Sequence, residues 1–129
     1  MPSRLTEVAI DCREPERLVA FWCAALGYVR VAEGQDWIAI GPAGDISADD
    51  WRAAPQPPNL AFCAVPEPRV AKNRVHIDIT PVGVTQADEV ARLTALGATP
   101  ADIGQGDETW IVLADPEGNE FCVMTEVTT

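Results

Sequence analysis

Trp110-Ile-Val-Leu-Ala-Asp-Pro-Glu-Gly-Asn-Glu-Phe-Cys-Val-Met124 is the stretch of sequence that decides the fold. Its residues alternate in character on both sides of Asp115-Pro-Glu-Gly-Asn119, as two strands with unlike faces require. That segment predicts the turn, because Pro fixes φ, Gly accepts positive φ, and Asp and Asn bond their own backbone. We therefore predict a β-hairpin with an aliphatic face, formed by Ile111, Leu113, Phe121 and Val123, and a mixed face, formed by Trp110, Val112, Glu120, Cys122 and Met124.

The rest of the chain predicts the same kinds of element twice. The first half gives a strand at Leu5–Asp11, an amphipathic helix from Pro15 to Gly27, and strands at Tyr28–Val31, Trp37–Ile40 and Leu60–Val65, with a long loop at residues 42–58. Pro66-Glu-Pro68 then predicts a linker. The second half gives a strand at Val75–Thr80, a helix with Thr85 as N-cap that ends at Gly97, a strand near Thr99–Ile103, and the hairpin.

The two halves also match in sequence. The matched pairs are Ala25-Leu-Gly27 with Ala95-Leu-Gly97, Trp37-Ile-Ala-Ile40 with Trp110-Ile-Val-Leu113, Phe62-Cys63 with Phe121-Cys122, and Glu7 with His76. The offset falls from 73 to 59 residues between the second and third pairs, so the long loop of the first half is 14 residues longer. We predict a single domain of residues 1–129 made of two repeats, at about 4–65 and 74–125, that pair to bury their faces.

Composition excludes several classes of function. The 129 residues carry a net charge of −11, so no basic surface is available for nucleic acid. No apolar stretch approaches the roughly 20 residues of a membrane span, and no signal peptide is evident. The four cysteines lack CxxC spacing and are predicted to be thiols. We expect a cytoplasmic protein that binds neither nucleic acid nor membrane.

Sorting the predicted strands by alternation gives the candidate site. One face is aliphatic and suits the two helices. The other holds two tryptophans, two cysteines and the only histidine of the chain, which is unusual for a plain solvent face. A pocket floor fits this mixture better than solvent or a dimer face. Its members are Glu7, Asp11, Trp37, Cys63, His76, Asp78, Trp110, Glu120, Cys122 and Met124.

The chain resembles the vicinal oxygen chelate superfamily, which includes glyoxalase I, bleomycin-resistance proteins and extradiol dioxygenases. The resemblance covers almost the whole chain and rests on three motifs in order: Glu14 to Trp22 with Leu26-Gly27, Asn73-Arg-Val-His-Ile-Asp78, and Trp110 to Val123. It implies an α+β fold of two βαβββ modules, in which a curved mixed sheet forms a cleft and the helices cover its convex face. It also implies a homodimer.

The resemblance also implies where a metal would bind. Metal enzymes of the superfamily take one ligand from the first strand and one from the last strand of each module, which transfers to Glu7, Cys63, His76 and Cys122. The two cysteines depart from the usual His, Glu or Gln. Thiolates with Glu and His suit Zn²⁺, but such a closed set leaves no open position for substrate. Cysteine also packs as a small apolar residue, so a divalent metal such as zinc and a metal-free site both remain open.

Two functions follow from these expectations. The first is small-molecule binding or sequestration, with Trp37, Trp110 and Trp51 stacking on a planar ligand and Glu7, Asp78 and Glu120 holding polar or cationic groups. The second is a glyoxalase-type lyase or isomerase, dependent on a metal or on acid–base catalysis, with Glu7 as base and His76 as acid or ligand. Extradiol dioxygenase chemistry is disfavoured, because its iron site needs two histidines.

Overall fold

The computed structural model describes residues 2–42, 44–102, 104 and 109–127 of the chain. The chain divides into two units, Met1–Pro68 (unit 1) and Arg69–Thr129 (unit 2). The boundary directly follows Pro66-Glu-Pro68, where the sequence predicts a linker. Each unit therefore corresponds to one predicted repeat.

Unit 1 forms a four-stranded mixed sheet with two helices. Its elements are β1 (Glu7–Cys12), α1 (Pro15–Leu26), β2 (Tyr28–Glu33), β3 (Trp37–Pro42), α2 (Ala48–Ala53) and β4 (Asn59–Ala64). The strand order is β1-β4-β3-β2. The first and last strands pair in parallel, and the other pairs are antiparallel.

Unit 2 repeats this topology with shorter elements. They are β5 (Ile77–Ile79), α3 (Gln86–Leu96), β6 (Thr99–Pro100), β7 (Ile111–Ala114) and β8 (Glu120–Val123). The strand order is β5-β8-β7-β6, again with a parallel pair between the first and last strands. The predicted α+β fold of two βαβββ modules is confirmed. The end of the predicted strand at Ile103 lies outside the described residues.

The predicted helix ends are confirmed by their caps. The hydroxyl of Thr85 accepts a hydrogen bond from the N–H of Asp88 at 3.1 Å, which satisfies one of the free donors of the first turn of α3. Gly27 ends α1 with φ of 70°, the left-handed conformation that glycine adopts at low cost. The N–H of Gly97 ends α3 by donating to Leu93 and Thr94.

The core of unit 1 lies between α1 and its sheet. Phe21 and Trp22 of α1 are buried, with their rings perpendicular and 5.1 Å apart between centroids. Ile10, Phe62 and Ile38 are register neighbours across β1, β4 and β3, and Phe62 is fully buried. Packing of the helix stripe on this aliphatic row explains why the repeat folds with its helix against the sheet.

The hairpin forms as predicted, with one difference at Ile111. Leu113, Phe121 and Val123 are buried, but Ile111 is 37% exposed and its neighbour Val112 is buried. Among the described residues, the segment that begins with β6 pairs with β7 only from Ala114 to Val112. Ile111 therefore lies beyond the part of β7 that this neighbour covers.

The prediction of an irregular loop at residues 42–58 is wrong for its middle part. Residues 48–53 form α2, and the hydroxyl of Ser47 caps it by accepting a hydrogen bond from the N–H of Asp50 at 3.0 Å. Asp49 and Asp50 lie in the first turn and Arg52 in the last, which suits the helix dipole. These local signals stabilise one short helix that apolar periodicity does not reveal.

None of the helices within the described ranges combines the length and the apolar character needed to cross a membrane.

Candidate functional site

Three side chains form a row across the sheet of unit 1. Asp11 of β1 is the register partner of Cys63 of β4, and Cys63 is the register partner of Trp37 of β3. Register partners on adjacent strands point to the same face and lie roughly 5 Å apart. We call Asp11, Cys63 and Trp37 the unit 1 row. It places a carboxylate, a thiol and an indole side by side, as the predicted pocket floor requires.

The indole of Trp37 is held close to the backbone of Gly34. A Cβ atom added to Gly34 would lie 2.1 Å from Nε1 of Trp37, so only glycine leaves room for the ring. The N–H of Gly34 also donates to the carbonyl of Trp37 at 3.0 Å. Although it is held in this way, Trp37 remains 40% exposed. It therefore presents an aromatic surface with little freedom to lose on binding a ligand.

Cys63 is a protonated thiol in an acidic setting. Burial raises the pKa of the Cys63 thiol, and the negative charges of Asp11 and Glu7 raise it further. Both carboxylates belong to exposed residues of β1. The row thus combines a weakly nucleophilic thiol with the negative charge of Asp11, and Glu7 adds a second negative charge from the same strand.

The charge of Asp11 makes a testable contribution to the reactivity of Cys63. We expect Asp11→Asn to lower the pKa of the Cys63 thiol, because it removes a negative charge that opposes formation of the thiolate. The fraction of thiolate at pH 8 then rises, and so does the rate of alkylation by iodoacetamide, measured at Cys63 by peptide mapping. Glu33→Gln is the matched control with the same change in net charge. Equal rates in the two variants would contradict the expectation.

Unit 2 carries a related row, formed by Asp78, Cys122 and Val112. Burial raises the pKa of the Cys122 thiol, and the charge of Asp78 and a hydrogen bond with it add to that rise, while Lys72 partly offsets it. The Nζ atom of Lys72 lies 2.6 Å from Nε2 of His76. The amine and the imidazole are therefore within hydrogen-bonding distance of each other.

The register changes two of the equivalences suggested by the sequence repeat. Val112, and not Trp110, occupies the position in unit 2 that Trp37 occupies in unit 1. Trp110 is half-buried and precedes β7. The two Asp–Cys pairs occupy equivalent positions in the two units. Counting back two residues from each Asp makes Ala9 of unit 1 the counterpart of His76 of unit 2. Glu7 and His76 are therefore not equivalent by register.

Glu120, a predicted ligand-binding residue, is engaged within unit 2. It forms an ion pair with Arg69 and accepts a hydrogen bond from the N–H of Asn73 at 3.2 Å. Burial by itself raises the pKa of Glu120, but hydrogen bonds from its own N–H and that of Asn73, with the charge of Arg69, outweigh burial and lower it. Asn73 also donates to the side chain of Asn119 at 2.8 Å. These contacts attach the segment after the linker to the hairpin turn.

Trp51 lies apart from the unit 1 row. It belongs to α2 and lines a cavity of unit 1 with a volume of about 820 Å³. None of the other predicted site residues lines this cavity. Sequence reasoning also missed Lys72 and Arg4 as partners of His76 and Trp51, because Lys72 and His76 lie in an irregular segment and Arg4 is distant from Trp51 in the chain.

The predicted metal ligands do not form a ligand set within either unit. Glu7 and Cys63 lie four register positions apart in unit 1. In unit 2, Nε2 of His76 contacts Lys72, and Cys122 is the register partner of Asp78. Across the ranges that the structure describes, no three His, Cys, Asp or Glu side chains come together as a metal site. The donor atoms of each unit, as arranged, do not fit a metal, and the four-residue set stays a prediction.

The repeated βαβββ topology can be compared with known proteins. The family model of the glyoxalase-like domain matches residues 7–124, which is nearly the whole chain. The chain belongs to this family. No curated protein matches the sequence significantly.

Solved structures with this fold cover the glyoxalase-like chain almost completely. One is a glyoxalase/bleomycin resistance protein/dioxygenase family enzyme from Burkholderia phytofirmans PsJN, at 18% identity and a TM-score of 0.62, covering 94% of this chain and 97% of that one. Another is a mutant of the fosfomycin resistance protein FosX from Listeria monocytogenes, complexed with Mn(II) and 1S,2S-dihydroxypropylphosphonic acid. It is 14% identical with a TM-score of 0.65, and the match covers 98% of this chain and 93% of that one.

FosX from Mesorhizobium loti gives a similar match, at 14% identity and a TM-score of 0.66, over 98% of this chain and 95% of that one. Identities this low show a common fold and carry no residue roles from one protein to another.

Proposed function

We propose that this glyoxalase-like protein binds a small planar molecule that carries a positive charge, with the unit 1 row as the contact surface. The observation that carries the proposal is the exposed, sterically held indole of Trp37 in register with Cys63 and Asp11. An indole face attracts a planar ring by stacking and a cation by its quadrupole. The carboxylates of Asp11 and Glu7 add attraction for positive charge.

The chemistry of the row favours binding over covalent catalysis. A thiol with a raised pKa is a poor nucleophile at neutral pH, since only the thiolate reacts. Such a thiol still contributes a polarisable, apolar contact for a bound ring. The net charge of −11 also favours the approach of a cation over that of an anion.

The test is isothermal titration calorimetry with proflavine, a planar cation. We expect Trp37→Phe to weaken binding by about tenfold, through loss of the larger aromatic face. We expect Asp11→Asn to weaken it by about fivefold, as for an exposed charge pair. Asp102→Asn is the control for Asp11→Asn, because it makes the same change in net charge. It also keeps a side-chain oxygen that can accept the hydrogen bond from the N–H of Gly104. Unchanged binding in both row variants would refute the proposal.

A second candidate, a glyoxalase-type lyase or isomerase, is favoured by one observation in unit 2. The contact between Lys72 and Nε2 of His76 holds the imidazole within hydrogen-bonding distance of a second group that can carry a proton, as proton transfer requires. Elemental analysis of the purified protein separates the metal-dependent form of this candidate from metal-free binding. Stoichiometric divalent metal that is lost in a Cys63→Ser, Cys122→Ser double variant would favour the lyase or isomerase.

We also propose that the protein acts as a homodimer, as the family resemblance implies. Light scattering at high concentration is expected to give twice the chain mass of 13.9 kDa. A mass of one chain would contradict this.

A further inference from the structure

We infer that unit 1 holds a second binding site, separate from the unit 1 row, for an apolar ring compound that bears an alkylammonium group. The site is the cavity of about 820 Å³ beside α2, which we call the α2 cavity. Its volume lies in the range of cavities that enclose drug-sized molecules. Neither the family match nor the sequence repeat assigns a role to this part of the molecule.

The α2 cavity is built by the segment that distinguishes the two repeats. Most of its lining residues come from residues 42–59, within the region where the first half is 14 residues longer, and the rest come mainly from the segment before β1. Unit 2 has no counterpart of α2 among its described elements. The α2 cavity is therefore formed by residues that the sequence repeat does not share.

The apolar part of the lining is exposed to a degree that favours a ligand. Leu5 is 67% exposed, Ile46 46% and Trp51 40%, and all three line the cavity together with Val31. Apolar side chains grouped around a concave surface gain free energy when a ring compound removes them from water. The prolines of the segment, Pro55, Pro57 and Pro58, restrict the backbone of the rim.

Arg4 fixes the position of Trp51 within this lining. Its guanidinium lies 4.7 Å from the centroid of the indole, and it donates hydrogen bonds to the carbonyls of Ala54 at 3.1 Å and Arg52 at 2.7 Å. These carbonyls lie at the C-terminal end of α2, where a positive charge is favourable. The guanidinium of Arg4 is thus held by contacts within the protein, and it orders the aromatic surface that a ligand contacts.

Two carboxylates give the α2 cavity its charge preference. Asp45 and Asp50 line it, and neither has an ion-pair partner among the side chains that the structure describes. Their neighbour Asp49 pairs with Arg52 and lies outside the lining. Arg4 keeps its positive charge, but the two carboxylates outnumber it, so the net charge of the lining is negative. A ligand with an apolar ring and an ammonium group satisfies both halves of the lining.

The test is isothermal titration calorimetry with 2-naphthylmethylamine, its uncharged analogue 2-naphthylmethanol and the anion 2-naphthoate. We expect the amine to bind most tightly and the anion least. Asp50→Asn is expected to weaken the amine by about fivefold and to leave the alcohol unchanged. Asp49→Asn is the matched control on the same helix, with the same change in net charge, and should leave both unchanged.

A further variant separates this site from the unit 1 row. Trp51→Ala is expected to weaken the amine by at least about tenfold and to leave proflavine binding at the unit 1 row unchanged. Circular dichroism checks that Trp51→Ala remains folded, and Asp50→Asn tests the site independently if it does not. Equal effects of Asp49→Asn and Asp50→Asn, or binding of 2-naphthoate as tight as that of the amine, would overturn the inference. Equal losses of amine and proflavine binding in Trp51→Ala would instead assign both ligands to one site.

Discussion

Phe62→Ala is expected to lower the free energy of unfolding by about 3–5 kcal/mol, as for other fully buried aromatic residues. Phe62 has no exposed surface and lies between Ile10 and Ile38 in adjacent strands. Its removal leaves a cavity that strands hydrogen-bonded on both sides cannot close. Urea unfolding followed by fluorescence and circular dichroism measures the change.

The repeat supplies a second copy of this experiment. Phe121 lies between Ile77 and Leu113 in the same arrangement, and it is 1% exposed. We expect Phe121→Ala to lower the free energy of unfolding by a similar amount. Val82→Ala, at a residue 91% exposed, is the control and should change stability by less than about 0.5 kcal/mol. If both phenylalanine variants lose no more unfolding free energy than Val82→Ala, the assigned core is contradicted.

Asp115→Ala is expected to lower the free energy of unfolding by about 2–3 kcal/mol, because N–H donors of the hairpin turn lose their buried acceptor. Asp115 is 3% exposed. Its Oδ1 atom accepts hydrogen bonds from the N–H groups of Glu117 and Asn119, both at 3.0 Å, and Oδ2 accepts one from the Asn119 side chain at 2.9 Å. Gly118 completes the turn at φ of 87°. The carboxylate thus organises the turn from inside.

Asp102→Ala is the control for this experiment. Asp102 also accepts a backbone hydrogen bond, from Gly104 at 2.8 Å, but it is exposed. Water replaces the lost bond there, so we expect a change below about 0.5 kcal/mol. Urea unfolding measures both changes. A loss of unfolding free energy as large in Asp102→Ala as in Asp115→Ala would show that burial of the turn carboxylate is unimportant.

Much of the fold follows from local sequence signals. Alternation of polar and apolar residues locates the strands, Thr85 and Gly97 bound α3, and Asp115 to Asn119 specify the turn, because each of these features depends on residues close together in the chain. The repeat then indicates that both halves share one topology. The helix α2 is the exception, since its six residues are too few to show apolar periodicity.

The candidate site was less predictable, because it depends on register. Trp37 and Trp110 match in sequence, but the strand pairing places Val112 opposite Cys122 where Trp37 lies opposite Cys63. A shift of two residues keeps a side chain on the same face, so alternation predicts the face and cannot detect the shift. The contact of Lys72 with His76 is likewise decided by how an irregular segment folds back.

The sequence by itself determined that this chain is built from two βαβββ modules of the glyoxalase-like family, with one aliphatic and one mixed face in each. Only the tertiary structure decided which polar side chains are neighbours, that Glu120 is engaged by Arg69 and Asn73, and that the longer loop of the first half encloses a cavity beside Trp51. The physical reason is the range of the interactions. Periodicity, caps and turns act over a few residues, whereas strand register and cavity shape depend on packing between residues distant in the chain.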